Sequence, residues 1–158
     1  MSAVAKEAIL ILHLTLPEDE RTGDLELDPL AFTFEGLVQT NLWHIRRARK
    51  LGRPLPSLYG SGVRYKDDDP HGQENWRDIP AVLRAGGGDC DRLSAWRIAE
   101  LRDVGIAARP RFDCWRVPKD ALLSGPARHD AHVRVEHPDG RIEDPSEHLN
   151  ARERGRHR

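Results

Sequence analysis

The sequence contains few cysteines and no long apolar run. Its 158 residues include two cysteines, Cys90 and Cys114, too few for the disulfide framework that holds small secreted proteins together. No stretch reaches the roughly 20 consecutive apolar residues that a membrane-spanning helix needs. Residues 8–12 are apolar, but His13 interrupts them and no small-residue cleavage pattern of a signal peptide follows. We therefore expect a soluble cytoplasmic protein that does not bind membranes.

The sequence also lacks an excess of charge of either sign. Charged residues make up 32% of the chain and apolar residues 38%, yet the formal net charge is only −1. No overall field would draw the protein to nucleic acid, so we expect no nucleic-acid partner. Basic residues nevertheless gather in two places, which we interpret as a solvated helix end and a flexible basic tail over residues 151–158. They are Arg46, Arg47, Arg49, Lys50 and Arg53 in the first place, and Arg152, Arg154, Arg156 and Arg158 in the second.

Periodic apolar residues predict one domain over residues 1–150. A β-rich stretch and a turn within residues 1–28 predict a β-hairpin or an added strand at the N-terminus. Helical spacing, glycine and proline then predict helices at about 30–50, 79–85 and 90–104. Alternating patterns predict strands at 108–117, 131–136 and 141–145, the last two joined by the turn HPDG. Helices followed by antiparallel strands are typical of an α+β fold.

Cys90 falls where the third helix is predicted to begin, separated only by Asp89 from the glycine run at 86–88. A cysteine attacks as a thiolate, and both a helix N-terminus and a nearby histidine favour that negative charge. The same position offers the backbone N–H of Cys90 as one donor of an oxyanion hole. A cysteine is also often a small buried apolar residue. That interpretation fits Cys114, which lies within a predicted strand, better than Cys90.

Motifs farther along the chain favour the interpretation of Cys90 as a nucleophile. They occur in order as GDCD at 88–91, GIAAR at 105–109, AHVRVE at 131–136 and DPS at 144–146. This ordered set resembles the transglutaminase-like superfamily, with its G-x-C-x-[DE] helix, L-G-I-x-A-R segment, H-[AV]-W-[AV]-E strand and D-P-[TS] motif. The chain departs from that pattern by Val104 in place of leucine, Arg134 in place of tryptophan, and Asp91 directly after the cysteine.

The resemblance implies a papain-like core over residues 76–148, in which the cysteine begins a helix that packs on an antiparallel β-sheet. It also implies a catalytic triad of Cys90 as nucleophile, His132 as the base that takes its proton, and Asp144 as the carboxylate that orients the imidazole. The predicted hairpin agrees in outline, because its turn brings Asp144 opposite Val133, within one residue of His132.

Other residues near these motifs have less specific predictions. Relatives complete the oxyanion hole with an upstream polar or aromatic side chain, for which the candidates here are Gln73, Asn75 and Trp76. Trp76 fits a core or cleft-wall residue equally well. We expect Asp89 to cap the cysteine helix. We expect Arg97 to snorkel or to pair with an acid rather than to act in catalysis.

The function that the resemblance implies is acyl transfer through a thioester, without a cofactor, on a protein or peptide substrate. Hydrolysis by a peptidase or amidase is the version we favour, and a protein cross-linking transglutaminase is the alternative. Residues 89–97, DCDRLSAWR, also resemble the corresponding helix of small phage and prophage proteins, with Arg92 where an acid is usual. That likeness suggests a virion- or particle-associated protein that binds a structural partner without catalysis.

A cluster of histidines leaves room for a metal-dependent hydrolase. His129, His132 and His137 lie near Asp130, and imidazole, carboxylate and thiolate groups all bind metals. On a strand, however, the side chains of His129 and His132 point to opposite faces. We therefore predict no metal site, and interpret His129 and His137 as loop and turn residues.

Overall fold

A computed structural model describes residues 16–17, 25–67, 75–117 and 128–156, with the backbone alone at 116–117, 128–129 and 152–156. The N-terminal hairpin predicted within residues 1–28 lies mostly outside these residues. The fold is a mixture of helices and sheet, as predicted. Its elements are, in order, α1 (Asp28–Lys50), β1 (Arg64–Tyr65), α2 (Ile79–Ala85), β2 (Gly87–Gly88), α3 (Cys90–Asp103), β3 (Arg109–Val117), β4 (Arg128–Glu136), β5 (Ile142–Glu143) and α4 (Pro145–Arg156).

The end of α1 and both ends of α2 coincide with the local signals that predicted them. The chain leaves α1 through Gly52, whose φ of 69° places it in the left-handed region that favours glycine. At the start of α2, the Asp78 carboxylate accepts a hydrogen bond of 3.1 Å from the backbone N–H of Ala81, and Pro80 occupies the first turn. Gly86, with a φ of 70°, ends that helix.

Helix α3 is the central helix of the fold. It is buried on several sides because it packs against α1 and β4 as well as α2 and α4. The helix ends at Asp103, one residue before the predicted end, and Val104 is 70% exposed. Gly105, with a φ of 85°, turns the chain away as predicted.

The larger sheet is antiparallel, with β4 between β3 and β5. Residues 137–140 form the turn between β4 and β5, and the backbone N–H of His137 donates to the carbonyl of Arg141 at 2.9 Å. This closure pairs Val135 with Glu143, so that Asp144 continues opposite Arg134 rather than Val133. The predicted register was therefore wrong by one residue. The observed register assigns Asp144 and His132 to the same face of the sheet.

The smaller sheet joins β1 to the glycine run that precedes the cysteine helix. The two strands are parallel, with Arg64 opposite Gly87 and Tyr65 opposite Gly88. A Cβ atom on Gly87 would lie 2.3 Å from the backbone oxygen of Arg64. Glycine at this position is what lets β1 approach the start of α3 so closely.

Gly87→Ala is expected to lower the free energy of unfolding by about 1–3 kcal/mol, because the added methyl group overlaps a backbone atom that cannot move independently. Gly36→Ala on α1 is the matched control, since a Cβ there meets nothing within 4 Å. It should raise stability by about 0.5–1 kcal/mol, the usual gain of alanine over glycine in a helix. Urea denaturation of the two variants tests both values, and a Gly87→Ala protein as stable as the wild type would contradict the close approach.

Two buried clusters flank α3. One fills the space between α1, α3 and the larger sheet, and the other lies between α3, α2, α4 and the chain before β1. The first contains Phe34, Val38, Leu42, Ala95, Ile98, Ala99, Leu101, Ala108, Val133 and Val135. The second contains Leu58, Val63, Ile79, Val82, Leu93, Trp96 and Leu149. None of the helices in the described residues is both long enough and apolar enough to cross a bilayer.

The C-terminal helix corrects the prediction of a flexible tail over residues 151–158. Helix α4 continues through Arg156, and Leu149 anchors it in the second cluster. The sequence after Leu149 has no apolar residue except Ala151, so no helical periodicity was visible there. The predicted strand at 141–145 is shorter in the structure, because Asp144-Pro145, a cap residue followed by proline in the first turn, begins the helix instead.

Candidate functional site

Cys90 is the first residue of α3, as predicted, and its side chain is half-buried. A helix N-terminus carries backbone N–H groups without intrahelical acceptors, and together they favour negative charge. In the described part of the chain, no acceptor is found for the backbone N–H of Cys90. The sulfur and this N–H are therefore both available at the same helix end.

His132 and Asp144, the other two residues of the predicted triad, are in direct contact. Nε2 of His132 lies 2.6 Å from Oδ2 of Asp144. The second carboxylate oxygen, Oδ1, accepts hydrogen bonds of 3.0 Å from the backbone N–H groups of Ser146 and Glu147. Asp144 is therefore both the partner of His132 and the N-cap of α4. The helix fixes the carboxylate, and the carboxylate fixes the imidazole.

Cys90 completes this group through a hydrogen bond to the imidazole. The pKa of His132 is raised to about 10, first by its hydrogen bond to Asp144 and second by one to the side chain of Cys90, against the opposing effect of burial. Because Nε2 faces Asp144, Nδ1 is the ring nitrogen left for the sulfur. The imidazole thus lies between two groups that can carry negative charge, and it holds a proton through the neutral pH range.

The pKa of the Asp144 carboxylate shifts in the opposite direction from that of His132. Burial alone would raise the pKa of Asp144, but the hydrogen bond from His132 and those from the backbone of Glu147 and Ser146 lower it. Asp144 is therefore an anion whenever His132 is a cation at neutral pH. The structure brings the three predicted residues together, in the order sulfur, imidazole, carboxylate.

A buried arginine beside Cys90 was not assigned a role from the sequence. Arg92 is 0% exposed, donates from Nε to the carbonyl of Asn75 at 2.7 Å, and lies 3.1 Å from a carboxylate oxygen of Asp89. Asp89 occupies the N-cap position as predicted, but its side chain makes no capping hydrogen bond. The carboxylate pairs with Arg92 instead, and that pairing offsets negative charge that would otherwise disfavour a thiolate at Cys90.

The three oxyanion candidates have different surroundings. Gln73 lies outside the described residues. Asn75 is exposed, and Arg92 holds its carbonyl near the first turn of α3. Trp76 packs edge-on against Phe34 of the core, with ring centroids 5.4 Å apart. Its indole N–H is buried and has no acceptor in the described part of the chain. This packing favours the interpretation of Trp76 as a core residue.

A polar network holds the strand that leads to Asp144. The carboxylate of Glu143 accepts hydrogen bonds from Arg97 and Tyr59, each at 2.6 Å, and lies 2.7 Å from Nε2 of His137. Burial alone would raise the pKa of Glu143, but these three partners lower it to about 2. The pairing of Arg97 with acids confirms its prediction. Because Arg97 belongs to α3, the network ties β5 to the helix that begins with Cys90.

The remaining polar predictions concern residues away from this site. Cys114 is half-buried in β3 and forms no disulfide with Cys90. The backbone of His129 lies in β4, so its interpretation as a loop residue is wrong.

Among the described residues, no three His, Cys, Asp or Glu side chains converge as ligands of a metal ion would. The predicted basic helix end is partly neutralised, because Arg46 and Arg49 both pair with Asp103.

Comparisons with protein-family models, with curated proteins and with solved structures gave no match for this chain. The resemblance to the transglutaminase-like superfamily therefore stays a prediction from its motifs.

Proposed function

We propose that this protein is a cysteine hydrolase, a peptidase or amidase with a transglutaminase-like core, acting through Cys90, His132 and Asp144. The observation that carries the proposal is the continuous contact from the Cys90 side chain through His132 to Asp144, at the N-terminus of a helix. A structural cysteine needs none of these partners. A catalytic cysteine, in contrast, needs an imidazole to carry its proton and a carboxylate to orient that imidazole.

The first half of the reaction forms a thioester. The reaction begins from the thiolate form of Cys90, beside His132, whose pKa is raised to about 10 and which is therefore a cation at neutral pH. The Cys90 thiolate attacks the carbonyl carbon, a C–S bond forms, and the π electron pair moves onto the carbonyl oxygen. The backbone N–H of Cys90 donates to that oxyanion. When the carbonyl re-forms, His132 gives its proton to the departing nitrogen and the C–N bond breaks.

The second half releases the acyl group. A water molecule attacks the thioester carbonyl and gives a proton to the now neutral His132. The C–S bond breaks, a carboxylic acid leaves, and the thiolate–imidazolium pair is restored. A primary amine in place of water would give an amide, which is the transglutaminase version of the same step. The substrate we propose is a protein or peptide.

Acetylation of Cys90 by p-nitrophenyl acetate tests this proposal without knowledge of the natural substrate. The wild-type protein should release a burst of p-nitrophenolate, and peptide mapping should find the acetyl group on Cys90. Cys90→Ala should abolish the burst. Cys114→Ala is the matched control and should retain it, because Cys114 is a half-buried thiol in β3 with no part in the triad.

Added methylamine then separates the two acceptors. Acetate as the main product indicates a hydrolase, whereas N-methylacetamide at modest amine concentration indicates a transamidase. A wild-type protein without a burst, combined with a stable complex with a particle protein that survives Cys90→Ser, would replace the enzyme proposal by the structural one.

A further inference from the structure

Strand β1 ends beside the start of the cysteine helix. Tyr65 lies opposite Gly88, two residues before Cys90, and the backbone N–H of Lys66 donates to the carbonyl of Gly88 at 2.9 Å. Residues opposite each other on neighbouring strands direct their side chains to the same face. A Cβ on Gly88 would meet Arg92 in the first turn of α3 at 3.0 Å. The Tyr65 side chain therefore leaves β1 on the side of the α3 N-terminus.

The ring of Tyr65 is held by packing, whereas its hydroxyl group is left without a hydrogen-bond partner among the described residues. The half-buried ring packs against the second buried cluster, which includes Leu93 of α3 and Leu149 of α4. Helix α4, whose N-cap is Asp144, also packs on β1. Within the described residues, the Tyr65 hydroxyl has no hydrogen-bond partner. A phenol with a fixed ring and an unused donor therefore lies among the elements that carry Cys90 and Asp144.

The charges around Tyr65 agree with this placement. Burial raises the pKa of Tyr65 first, and the negative charge of Cys90 is the largest of the nearby charges that raise it further, followed by Asp67, Asp89 and Asp144. The hydroxyl therefore keeps its proton when Cys90 is a thiolate. A neutral phenol near a thiolate is a hydrogen-bond donor without being an acid strong enough to quench the nucleophile.

We propose that Tyr65 is the second donor of the oxyanion hole, acting with the backbone N–H of Cys90. This inference rests on the proposed acyl-transfer function. During attack by the Cys90 sulfur, the carbonyl π pair moves to oxygen, and the Tyr65 O–H donates a hydrogen bond to that oxyanion while keeping its proton. Tyr65 takes this part in preference to Trp76, whose indole N–H is shut off from solvent.

The test compares two reactions of the same sulfur in the Tyr65→Phe protein. Acetylation by p-nitrophenyl acetate passes through an oxyanion, whereas alkylation by iodoacetamide is a direct displacement that forms none. Removal of one oxyanion donor should slow acetylation by about 10²- to 10³-fold and leave alkylation unchanged. Tyr59→Phe is the control, because it deletes the other tyrosine hydroxyl, which donates to Glu143 at 2.6 Å.

Any other result for Tyr65→Phe contradicts the inference, and each result does so for a different reason. Equal acetylation rates in Tyr65→Phe and wild type mean that the hydroxyl does not contact the oxyanion. Equal slowing of both reactions means that Tyr65 supports the thiolate or the fold instead. The Tyr59→Phe protein should keep the wild-type ratio of acetylation to alkylation. A wild-type protein that neither alkylates quickly nor acetylates at Cys90 contradicts the triad itself, whatever Tyr65→Phe does.

Discussion

Iodoacetamide at about pH 5.5 is expected to alkylate Cys90 about a hundredfold faster than Cys114, or more. A thiol without activation, with a pKa of about 8.5, is ionised only to about one part in a thousand at this pH. His132, with its pKa raised to about 10, is a cation there and stabilises the thiolate of Cys90. A stabilised thiolate is a weaker nucleophile, so we expect the alkylation rate of Cys90 to exceed that of Cys114 by less than a thousandfold.

Removal of the imidazole should remove this selectivity. His132→Ala is expected to bring the rate at Cys90 to within about tenfold of Cys114, because only the helix N-terminus still favours the charge. His44→Ala is a matched control, since His44 is also paired with a carboxylate, Asp78, at 2.9 Å. His44→Ala should leave the ratio of the Cys90 and Cys114 alkylation rates unchanged. Slow and equal labelling of both thiols in the wild type would rule out an activated nucleophile.

Asp144→Ala should slow the acetylation of Cys90 by about 10²-fold or more, the usual contribution of a positioned proton donor and acceptor. The hydrogen bond from this carboxylate is the largest cause of the raised His132 pKa. Without it, the His132 pKa should fall toward its ordinary value, measured by an NMR titration of the imidazole. The same variant removes the cap of α4, so the free energy of unfolding should fall by about 1 kcal/mol.

Asp78→Ala separates these two effects. Asp78 has the same pair of tasks at α2, since one oxygen accepts from the backbone of Ala81 and the other pairs with His44. Its removal should cost similar stability and leave both acetylation and the titration of His132 unchanged. An Asp144→Ala protein that acetylates at the wild-type rate would show that the carboxylate only caps the helix.

The His132–Asp144 pair also predicts how stability depends on pH. The folded-state pKa of His132 lies above its ordinary 6.5, so this stabilisation is complete below about pH 6.5 and disappears as the pH rises through about 10. The folded-state pKa of Asp144 is lowered, so its contribution is present above its ordinary value of 3.8 and disappears as the pH falls through the folded value. In Asp144→Ala the Asp144 contribution should vanish and the His132 contribution should shrink to the part that comes from Cys90, measured by urea denaturation across that range.

Features that depend on neighbouring residues could be predicted from the sequence. Proline in the first turn and glycine after the last located α2 and the end of α3, because both act through backbone shapes of single residues. The start of α3 at Cys90 followed from the glycine run that precedes it. The strands that carry His132 followed from alternation and from the turn before Gly140.

Features that depend on contacts between distant residues could not. Nothing near Arg92 in the sequence marks it as fully buried or as the donor to the Asn75 carbonyl, 17 positions earlier. The register of β4 and β5 was predicted one residue away from the observed pairing, because the closing hydrogen bond between His137 and Arg141 is set by the turn geometry. A shift of one residue assigns a side chain to the other face of a sheet.

The sequence by itself determined that Cys90 begins a helix, that His132 lies on a strand, and that Asp144 follows soon after in the order expected for a triad. Tertiary structure alone decided that the three side chains meet and that Tyr65 lies beside Gly88. The reason is physical. A helix start is specified by residues a few positions apart, whereas the pairing of β1 with a glycine run more than 20 positions away depends on how the whole chain packs.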